Sequence, residues 1–387
     1  MPSIRRRMVA RDLDEPHRAS SPLELLFDLT FVAAVSQVAG RFAHAVADGH
    51  VADAATPFFM VFFAIWWAWM NFTWFASAYD TDDVPYRVMT FVQMAGVLLL
   101  AAGVPDAFDG DFTTVTVGYL VMRVGLVSLW LRAAFAHPEG RATAVRYAAG
   151  IAFLQVLWLS RLALPEDDGG PWVFLFLVVL ELSVPPIAER PRMTTWHPHH
   201  IAERYGLFTI ILLGESVLAA TNAVQDSVEH GLHARLVVIA LAGLAILFTL
   251  WWIYFSEPAG EGLAARRDRS FVWGYGHYLV FAALAALGAG LEVAVVSTGE
   301  IHAGAHTVVA AVAVPVAVFL VMLWTLHAPM RPTAVRPELI GITAALTLLT
   351  IFAAPTIGVA ASLIVIAVLL VLLLAATLAR SRRPATP

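Results

Sequence analysis

Long apolar runs separated by short polar segments recur along the whole chain. Crossing the hydrocarbon core takes a helix of roughly 20 residues, because unpaired backbone groups cannot be left in lipid. The pattern predicts about twelve spanning helices, at about 23–47, 55–78, 86–104, 113–136, 144–164, 171–188, 202–224, 233–255, 272–297, 307–328, 337–354 and 357–379. The predicted fold class is an all-α integral membrane protein.

Composition agrees with this prediction. The chain has 387 residues, of which 59% are hydrophobic and 14% charged, whereas soluble domains have about 45–50% apolar and about 25% charged residues. It has no cysteine, which excludes disulfides, thiolate metal sites and cysteine nucleophiles. We find no phosphate loop, serine nucleophile elbow, zincin signature or nucleic-acid motif. We therefore expect the lipid bilayer as a partner, no cofactor, no bound metal and no nucleic acid, and leave homo-oligomers open.

The distribution of charge predicts the orientation. Segment 1–22 is polar, and Arg11 and Asp12 stand where a signal peptide would have its apolar core, so we expect no cleavage there. Arginines concentrate in alternate loops and at the C-terminus, at Arg87, Arg132, Arg141, Arg146, Arg190, Arg192, Arg266, Arg267, Arg269, Arg331, Arg336, Arg380, Arg382 and Arg383. The other loops are acidic or neutral, with only Arg161 and Arg235 near their edges. The positive-inside rule then places both termini in the cytoplasm and the protein in the cell (cytoplasmic) membrane.

The two halves of the chain share an order of features. Glu24 opens ELLFDLTFVAAVSQVA and Glu203 opens ERYGLFTIILLGESVLA. A threonine, a polar pair, a tryptophan pair and a glycine-alanine run follow in each half, at Thr30, Ser36–Gln37, Trp66–Trp67 and Gly103, and at Thr209, Glu215–Ser216, Trp251–Trp252 and Gly288 with Gly290. Chance explains any single match, but the shared order indicates a tandem duplication of six helices in one orientation. The predicted parts are a cytoplasmic segment 1–22, a first repeat 23–190, a cytoplasmic linker 191–201, a second repeat 202–379 and a basic cytoplasmic tail 380–387.

Ionisable side chains inside membrane spans are candidates for function, because burying them in lipid costs several kcal/mol unless they are paired or hydrated. We predict an inner polar layer of Glu24, Asp28, Asn71, Arg87, Glu203, Arg204 and His277. An outer layer would contain Gln37, Arg41, His44, Glu215 and Glu292, with an Arg41–Glu215 or Arg41–Glu292 pair. Glu215 lies about 18 Å of helix rise beyond Glu203, deep in its span.

Structural explanations compete with function at several of these positions. Glu24 also fits a helix N-terminus capped by Ser20 or Ser21, whereas Asp28 lies within an apolar run. Arg123 and Glu181 are expected to form a buried structural pair. The cluster of His197, His199 and His200 is interpreted as a solvated loop in preference to a metal site.

Two stretches carry a resemblance to a known family. Glu24-Leu-Leu-Phe27-Asp28-Leu-Thr30-Phe31-Val resembles the E-L-F-F-D-L-V-F-V opening of the low temperature requirement A proteins, with Thr30 where many members have valine. The stretch from Glu203 to Ser216 is similar to that family's E-R-F/H-G-L-F-T-I-I-V-L-G-E signature. The resemblance covers nearly the whole chain and implies a bacterial membrane protein, but no mechanism. Phe27-Asp28 is also similar to the F-S-D opening of the endosomal/lysosomal potassium channels, without its serine.

Three functions remain open from the sequence. We favour proton- or cation-linked transport of a small solute or ion through polar layers between the repeats, since parallel repeats are a common transporter plan; a channel is its nearest variant. A membrane-embedded enzyme is less favoured, because it needs catalytic groups converging at one depth and the chain offers two layers. In an accessory or stress-adaptation protein, the charges would only hold helices together.

Overall fold

The computed structural model describes residues 4–12, 15, 19–164, 170–229, 234–256, 259–298, 301–330 and 336–381. Within these residues the chain is helical and contains no β-strand. The helices are α1 (Pro22–Ala47), α2 (Val51–Tyr79), α3 (Val84–Ala102), α4 (Val104–Phe108), α5 (Thr113–Ala136), α6 (Arg141–Arg161), α7 (Gly170–Ala188), α8 (Pro198–Glu229), α9 (Ala234–Phe255), α10 (Ala259–Ala265), α11 (Ser270–Val296), α12 (Ala305–His327), α13 (Pro337–Ile357) and α14 (Val359–Ser381).

In the described part of the chain, 12 helices are long and apolar enough to cross a membrane, which confirms the predicted number. The break between the last two is confirmed as well, because Gly358 follows α13 with a φ of +82°, a conformation that favours glycine. The largest difference is α8, which begins at Pro198 rather than near residue 202. Among the arginines used to predict the orientation, Arg331, Arg382 and Arg383 lie outside the described residues.

The chain divides into two compact units. The first comprises Met1–Val38 and Thr56–Tyr205, and the second comprises Ala39–Ala55 and Gly206–Pro387. In the first unit, α3 packs on α5, α5 on α6, and α6 on α7. In the second unit, α11 to α14 pack in sequence and α14 also packs on α9.

Glycines allow close helix packing within each unit. In the first unit, a Cβ on Gly118 of α5 would lie 2.5 Å from the backbone nitrogen of Leu100 in α3. In the second unit, a Cβ on Gly290 of α11 would overlap the carbonyl of Ala311 in α12. Small residues let backbones approach where lipid supplies no hydrophobic force between helices. The two glycines that the repeat pattern matched differ in position, since Gly290 lies inside α11 and Gly103 directly follows α3.

Asp83 connects the N-terminal segment to the start of α3. Its carboxylate caps α3 by accepting the backbone N–H of Tyr86 at 3.1 Å, and it also accepts the backbone N–H of Arg6 at 2.7 Å. Arg132 of α5 forms an ion pair with the same carboxylate. Burial by itself raises the pKa of the Asp83 carboxyl, but these hydrogen bonds outweigh it and hold that pKa below its usual value.

Candidate functional site

Four ionisable side chains of the first unit, Glu24, Asp28, His200 and Arg204, form a buried group that we call the Arg204 cluster. Each is at most 2% exposed. Glu24 and Asp28 stand one turn apart on α1, and His200 and Arg204 stand one turn apart on α8, so each helix presents two charged groups on one face. The sequence placed three of the four in one layer and missed His200.

The start of α1 fixes the position of Glu24. The Glu24 backbone N–H donates to Ser21 Oγ at 3.3 Å, and the Ser21 N–H donates to Glu24 Oε2 at 2.7 Å. This reciprocal pattern is a capping box, which satisfies two N–H groups at a helix end. The structural explanation of Glu24 is therefore correct, but the same carboxylate also contacts the cluster through its other oxygen.

Arg204 joins both carboxylates of the cluster. Its Nη2 lies 2.5 Å from Asp28 Oδ1, and its Nη1 lies 3.1 Å from Glu24 Oε1. His200 Nε2 lies 3.0 Å from the same Glu24 oxygen. An arginine stays protonated inside proteins, so it places a positive charge between the two carboxyl groups.

Helix α2 adds two neutral side chains to the cluster. Trp69 Nε1 donates to Asp28 Oδ1 at 2.7 Å, and Arg204 Nη2 donates to Thr73 Oγ1 at 3.3 Å. The sequence alone does not indicate the hydrogen bond made by Trp69. The available signal was the spacing of Trp69 and Thr73 by one turn within an apolar helix.

Asp28 Oδ2 and Arg204 Nε are among the cluster atoms that are buried without a hydrogen-bond partner in the described part of the chain. A buried carboxylate oxygen without a donor is costly unless a proton, a water or a cation satisfies it. The geometry therefore allows the carboxyl of Asp28 to take up a proton or a small cation. No group of three or more His, Asp or Glu side chains among the described residues is placed to hold a metal ion.

A second buried charged group surrounds Glu181 of α7. Glu181 Oε2 accepts Trp67 Nε1 at 2.8 Å, and Oε1 accepts the Tyr119 hydroxyl and Trp158 Nε1, each at 3.1 Å. Arg123 Nη2 lies 4.0 Å from Glu181 Oε2 and also donates to the Tyr119 hydroxyl. The predicted Arg123–Glu181 pair is confirmed. Both oxygens of this carboxylate have neutral donors.

Three other inner-layer candidates form contacts of their own. Asn71 donates to a carbonyl of its own helix at 2.7 Å. Arg87 pairs with Asp82 at 2.8 Å and is 39% exposed. Glu203 is exposed and accepts the backbone N–H of Ser20 at 3.1 Å. Among the described residues, none of the three candidates forms a hydrogen bond or ion pair with the Arg204 cluster.

The outer-layer candidates on α1 lie at the surface. Gln37, Arg41 and His44 are all exposed. Arg41 forms no ion pair with Glu215 or Glu292, so neither predicted pair is present in the described structure. The helical period that placed Gln37, Arg41 and His44 near one another on α1 is correct, but that face is not buried.

Two carboxyl groups of the second unit, Glu215 and Glu292, lie on neighbouring helices. Glu215 of α8 is 8% exposed, and its Oε2 is buried without a hydrogen-bond partner in the described residues. Glu292 of α11 is half-buried and close enough to feel the charge of Glu215. The two helices approach where a Cβ on Gly288 would lie 2.7 Å from Ser216 Oγ.

The histidines occupy three different environments. His277 of α11 is buried, with Nδ1 2.7 Å from the Trp273 carbonyl and Nε2 3.3 Å from the Tyr254 hydroxyl. Since the carbonyl can only accept, Nδ1 carries the proton and Nε2 accepts from Tyr254. His199 is exposed but lies in the first turn of α8, so the predicted loop is wrong for it. The prediction of a solvated loop is also wrong for His200, because the early start of α8 buries it against Glu24.

The comparisons with known proteins agree with this architecture. The model of the bacterial low temperature requirement A protein (LtrA) family matches residues 19–377. An uncharacterized protein of Rhizobium meliloti (strain 1021) is 29% identical over 276 residues, which cover 67% of this chain and 65% of that protein. No solved structure matches the chain. The described helices and the family match together show a multi-pass membrane protein, and the chain belongs to the bacterial low temperature requirement A family.

Proposed function

We propose that the protein transports a small solute or ion across the cytoplasmic membrane, coupled to a proton or another cation that binds at the Arg204 cluster. The observation that carries this proposal is Asp28 Oδ2, a buried oxygen in a spanning helix with no hydrogen-bond donor in the described structure. An ionisable group at such a position is a functional candidate because its burial is expensive.

The remaining groups of the cluster support an exchange of protons. His200 Nε2 lies 3.0 Å from Glu24 Oε1, so an imidazole and a carboxyl group are in contact inside the cluster. Arg204 bridges the Glu24 and Asp28 carboxylates, so a change of charge on one side alters the electrostatic field at the other. A cluster of this kind responds to protonation as a unit.

The test is proton movement in liposomes that contain the purified protein and a luminal pH dye. We expect the wild-type protein to speed the decay of an imposed pH gradient relative to empty liposomes. Asp28→Asn keeps the shape of the side chain but removes the ionisable oxygen, and should reduce the rate to that of empty liposomes. Glu181→Gln is the matched control, since it also removes a buried carboxylate of the first unit. Correctly inserted Glu181→Gln protein should keep the wild-type rate.

Two arms of the same assay identify the coupling ion. In one, only a pH gradient is imposed; in the other, a sodium or potassium gradient is imposed at equal pH. Proton coupling predicts a signal in the first arm, and exchange of a cation for protons predicts luminal pH changes in the second. If Asp28→Asn and Glu181→Gln behaved alike in both arms, the cluster would have no separate role in transport and the proposal would be rejected.

A further inference from the structure

The second unit contains a cavity at the end where α11 finishes and α12 and α14 begin. Its volume is about 620 Å³, within the range of roughly 300–1,000 Å³ typical of small-molecule sites. We call it the Arg235 cavity. The residues that line it include Arg235, Ser297, His302, Ala305, Val308 and Val359. The proposed function uses none of them.

Arg235 is the charged side chain that sets the chemistry of this cavity. It is the second residue of α9, is exposed, and lies at the edge of a loop that the sequence predicts to face outward. Arginine is uncommon in such loops. Arg235 forms no hydrogen bond or ion pair in the described part of the chain. Because an arginine stays charged in proteins, its guanidinium is free to bind an anion.

The ends of two helices add to the positive charge of the cavity. Ala305 is the first residue of α12, and Val359 is the first residue of α14. The N-terminal end of a helix carries roughly half an elementary positive charge. At α12 the residue before the helix is Gly304, so no side chain at that position caps the first turn. These helix ends therefore favour a negative ligand together with Arg235.

The other polar side chains of the lining have partners already. Ser297 Oγ donates to the carbonyl of Ala294 at 2.7 Å. His302 Nδ1 lies 3.9 Å from Asp48 Oδ1, and both side chains are mostly exposed. Among the described residues of the lining, Arg235 is thus the charged donor that can bind a ligand without losing a contact.

We propose that the Arg235 cavity binds a small organic acid in its carboxylate form. The carboxylate would accept two parallel N–H groups of Arg235, the arrangement that arginine favours. Ala305, Val308 and Val359 would contact the apolar body of the ligand. The site does not involve the Arg204 cluster, and its binding is measured without transport, so either proposal can fail alone.

The experiment is saturation-transfer NMR on the full-length protein in nanodiscs of zwitterionic phospholipid at neutral pH. The probes are butyrate, butanol and butylammonium, which have the same carbon chain and differ in charge. Empty nanodiscs give the background. Because hydrogen bonds to charged groups are the strong ones, we expect saturable binding of butyrate and at least tenfold weaker binding of butanol and butylammonium.

Two variants test whether the signal comes from the cavity. Arg235→Gln should weaken butyrate binding at least tenfold, whereas Arg146→Gln, at another exposed arginine without a partner in the described chain, should keep it. Ala305→Trp fills the space and should abolish binding, whereas His306→Trp, at the exposed next position, should not. Since Arg235→Gln changes an exposed side chain, it tests the proposal even if Ala305→Trp fails to fold.

A last arm separates a free acid from a lipid phosphate, which also carries one negative charge. The butyrate titration is repeated in nanodiscs that contain phosphatidylglycerol, at about 0.15 M salt to screen the charge of the membrane surface. Unchanged binding supports the proposal, and loss of binding would assign the cavity to a lipid headgroup instead. The proposal also fails if butyrate does not saturate, if butylammonium binds equally well, or if folded Arg235→Gln binds butyrate like the wild-type protein.

Discussion

The first unit contains two buried arginine–carboxylate groups that differ in how the carboxylate is satisfied. At Glu181, two indoles and one phenol donate to both oxygens, while Arg123 Nε and Nη1 are buried without partners in the described structure. At Asp28, the arginine and an indole share one oxygen, and the other oxygen has no donor among the described residues.

This difference separates a structural carboxylate from one that can bind an ion. Fixed neutral donors on both oxygens satisfy the Glu181 carboxyl group without a further ligand. The open oxygen of Asp28 can accept a proton or a cation without displacing a donor. Burial and an arginine partner are common to both, so they do not by themselves indicate function.

The largest effect should come from Arg204→Leu. This change leaves two buried carboxylates facing His200 without their guanidinium, and we expect it to destabilise the protein by about 3–5 kcal/mol. The measurement is thermal unfolding of the detergent-purified protein, together with the yield of monodisperse material. Arg87→Leu removes a half-exposed ion pair and should remain near wild type. A similar loss in both variants would contradict the structural importance of the cluster.

Trp69→Phe should have the next largest effect. It removes an indole donor from Asp28, and hydrogen bonds to charged groups are worth about 1.5–3 kcal/mol. Because the same change weakens stabilisation of the charged carboxylate, it should also move the pH dependence of proton flux to higher pH. Trp158→Phe is the matched variant at Glu181; it should lower the melting temperature without moving the flux profile. Equal flux profiles in both variants would remove the distinction between the sites.

Arg123→Leu should cost less than Arg204→Leu, about 1–2 kcal/mol. Glu181 keeps its three neutral donors in this variant, and two buried nitrogens without partners in the described structure are removed at the same time. Denaturant titration of the purified protein would measure the difference from Arg204→Leu. A larger loss for Arg123→Leu would show that the indole and phenol donors do not stabilise Glu181 alone.

Glu292→Gln should have the smallest effect on stability and extends the comparison to the second unit. Because Glu292 is half-buried and forms no ion pair with another described residue, removing its charge should change the free energy of unfolding by no more than about 1 kcal/mol. We therefore expect an unchanged or slightly raised melting temperature. Glu215→Gln is the companion variant. Intracellular pH is compared between cells that carry equal amounts of wild-type or Glu215→Gln protein in the membrane, and a difference would show that Glu215 takes part in ion movement. A clear loss of stability in Glu292→Gln would indicate a partner other than Glu215.

Much of the site was visible in the sequence, but not its contacts. The sequence indicates Asp28 and Arg204 as candidate functional residues, because burying a charged side chain in an apolar helix costs free energy. Asp28 and Arg204 are far apart in the sequence, so their pairing depends on how α1 and α8 pack against each other. The spacing of polar residues along one helix does not tell which side of that helix packs against another helix. The same limit explains Arg41, whose predicted partners Glu215 and Glu292 form no ion pair with it.

His200 and Trp69 show what local pattern misses. His200 looked like part of a polar loop, because Pro198 was not recognised as the first residue of a helix. Trp69 belonged to a tryptophan-rich segment that membrane interfaces also explain. Both roles depend on tertiary contacts that only folding brings within hydrogen-bond distance.

The sequence by itself determined the number and approximate bounds of the spanning helices and the family, because the hydrophobic length needed to cross a bilayer and a contiguous motif are local properties. The tertiary structure decided which charges meet and which stay at the surface. It also decided which carboxyl oxygens find hydrogen-bond donors. The physical reason is that burial, pairing and packing depend on distances between helices remote in sequence, and the free energy of a buried charge depends on those neighbours.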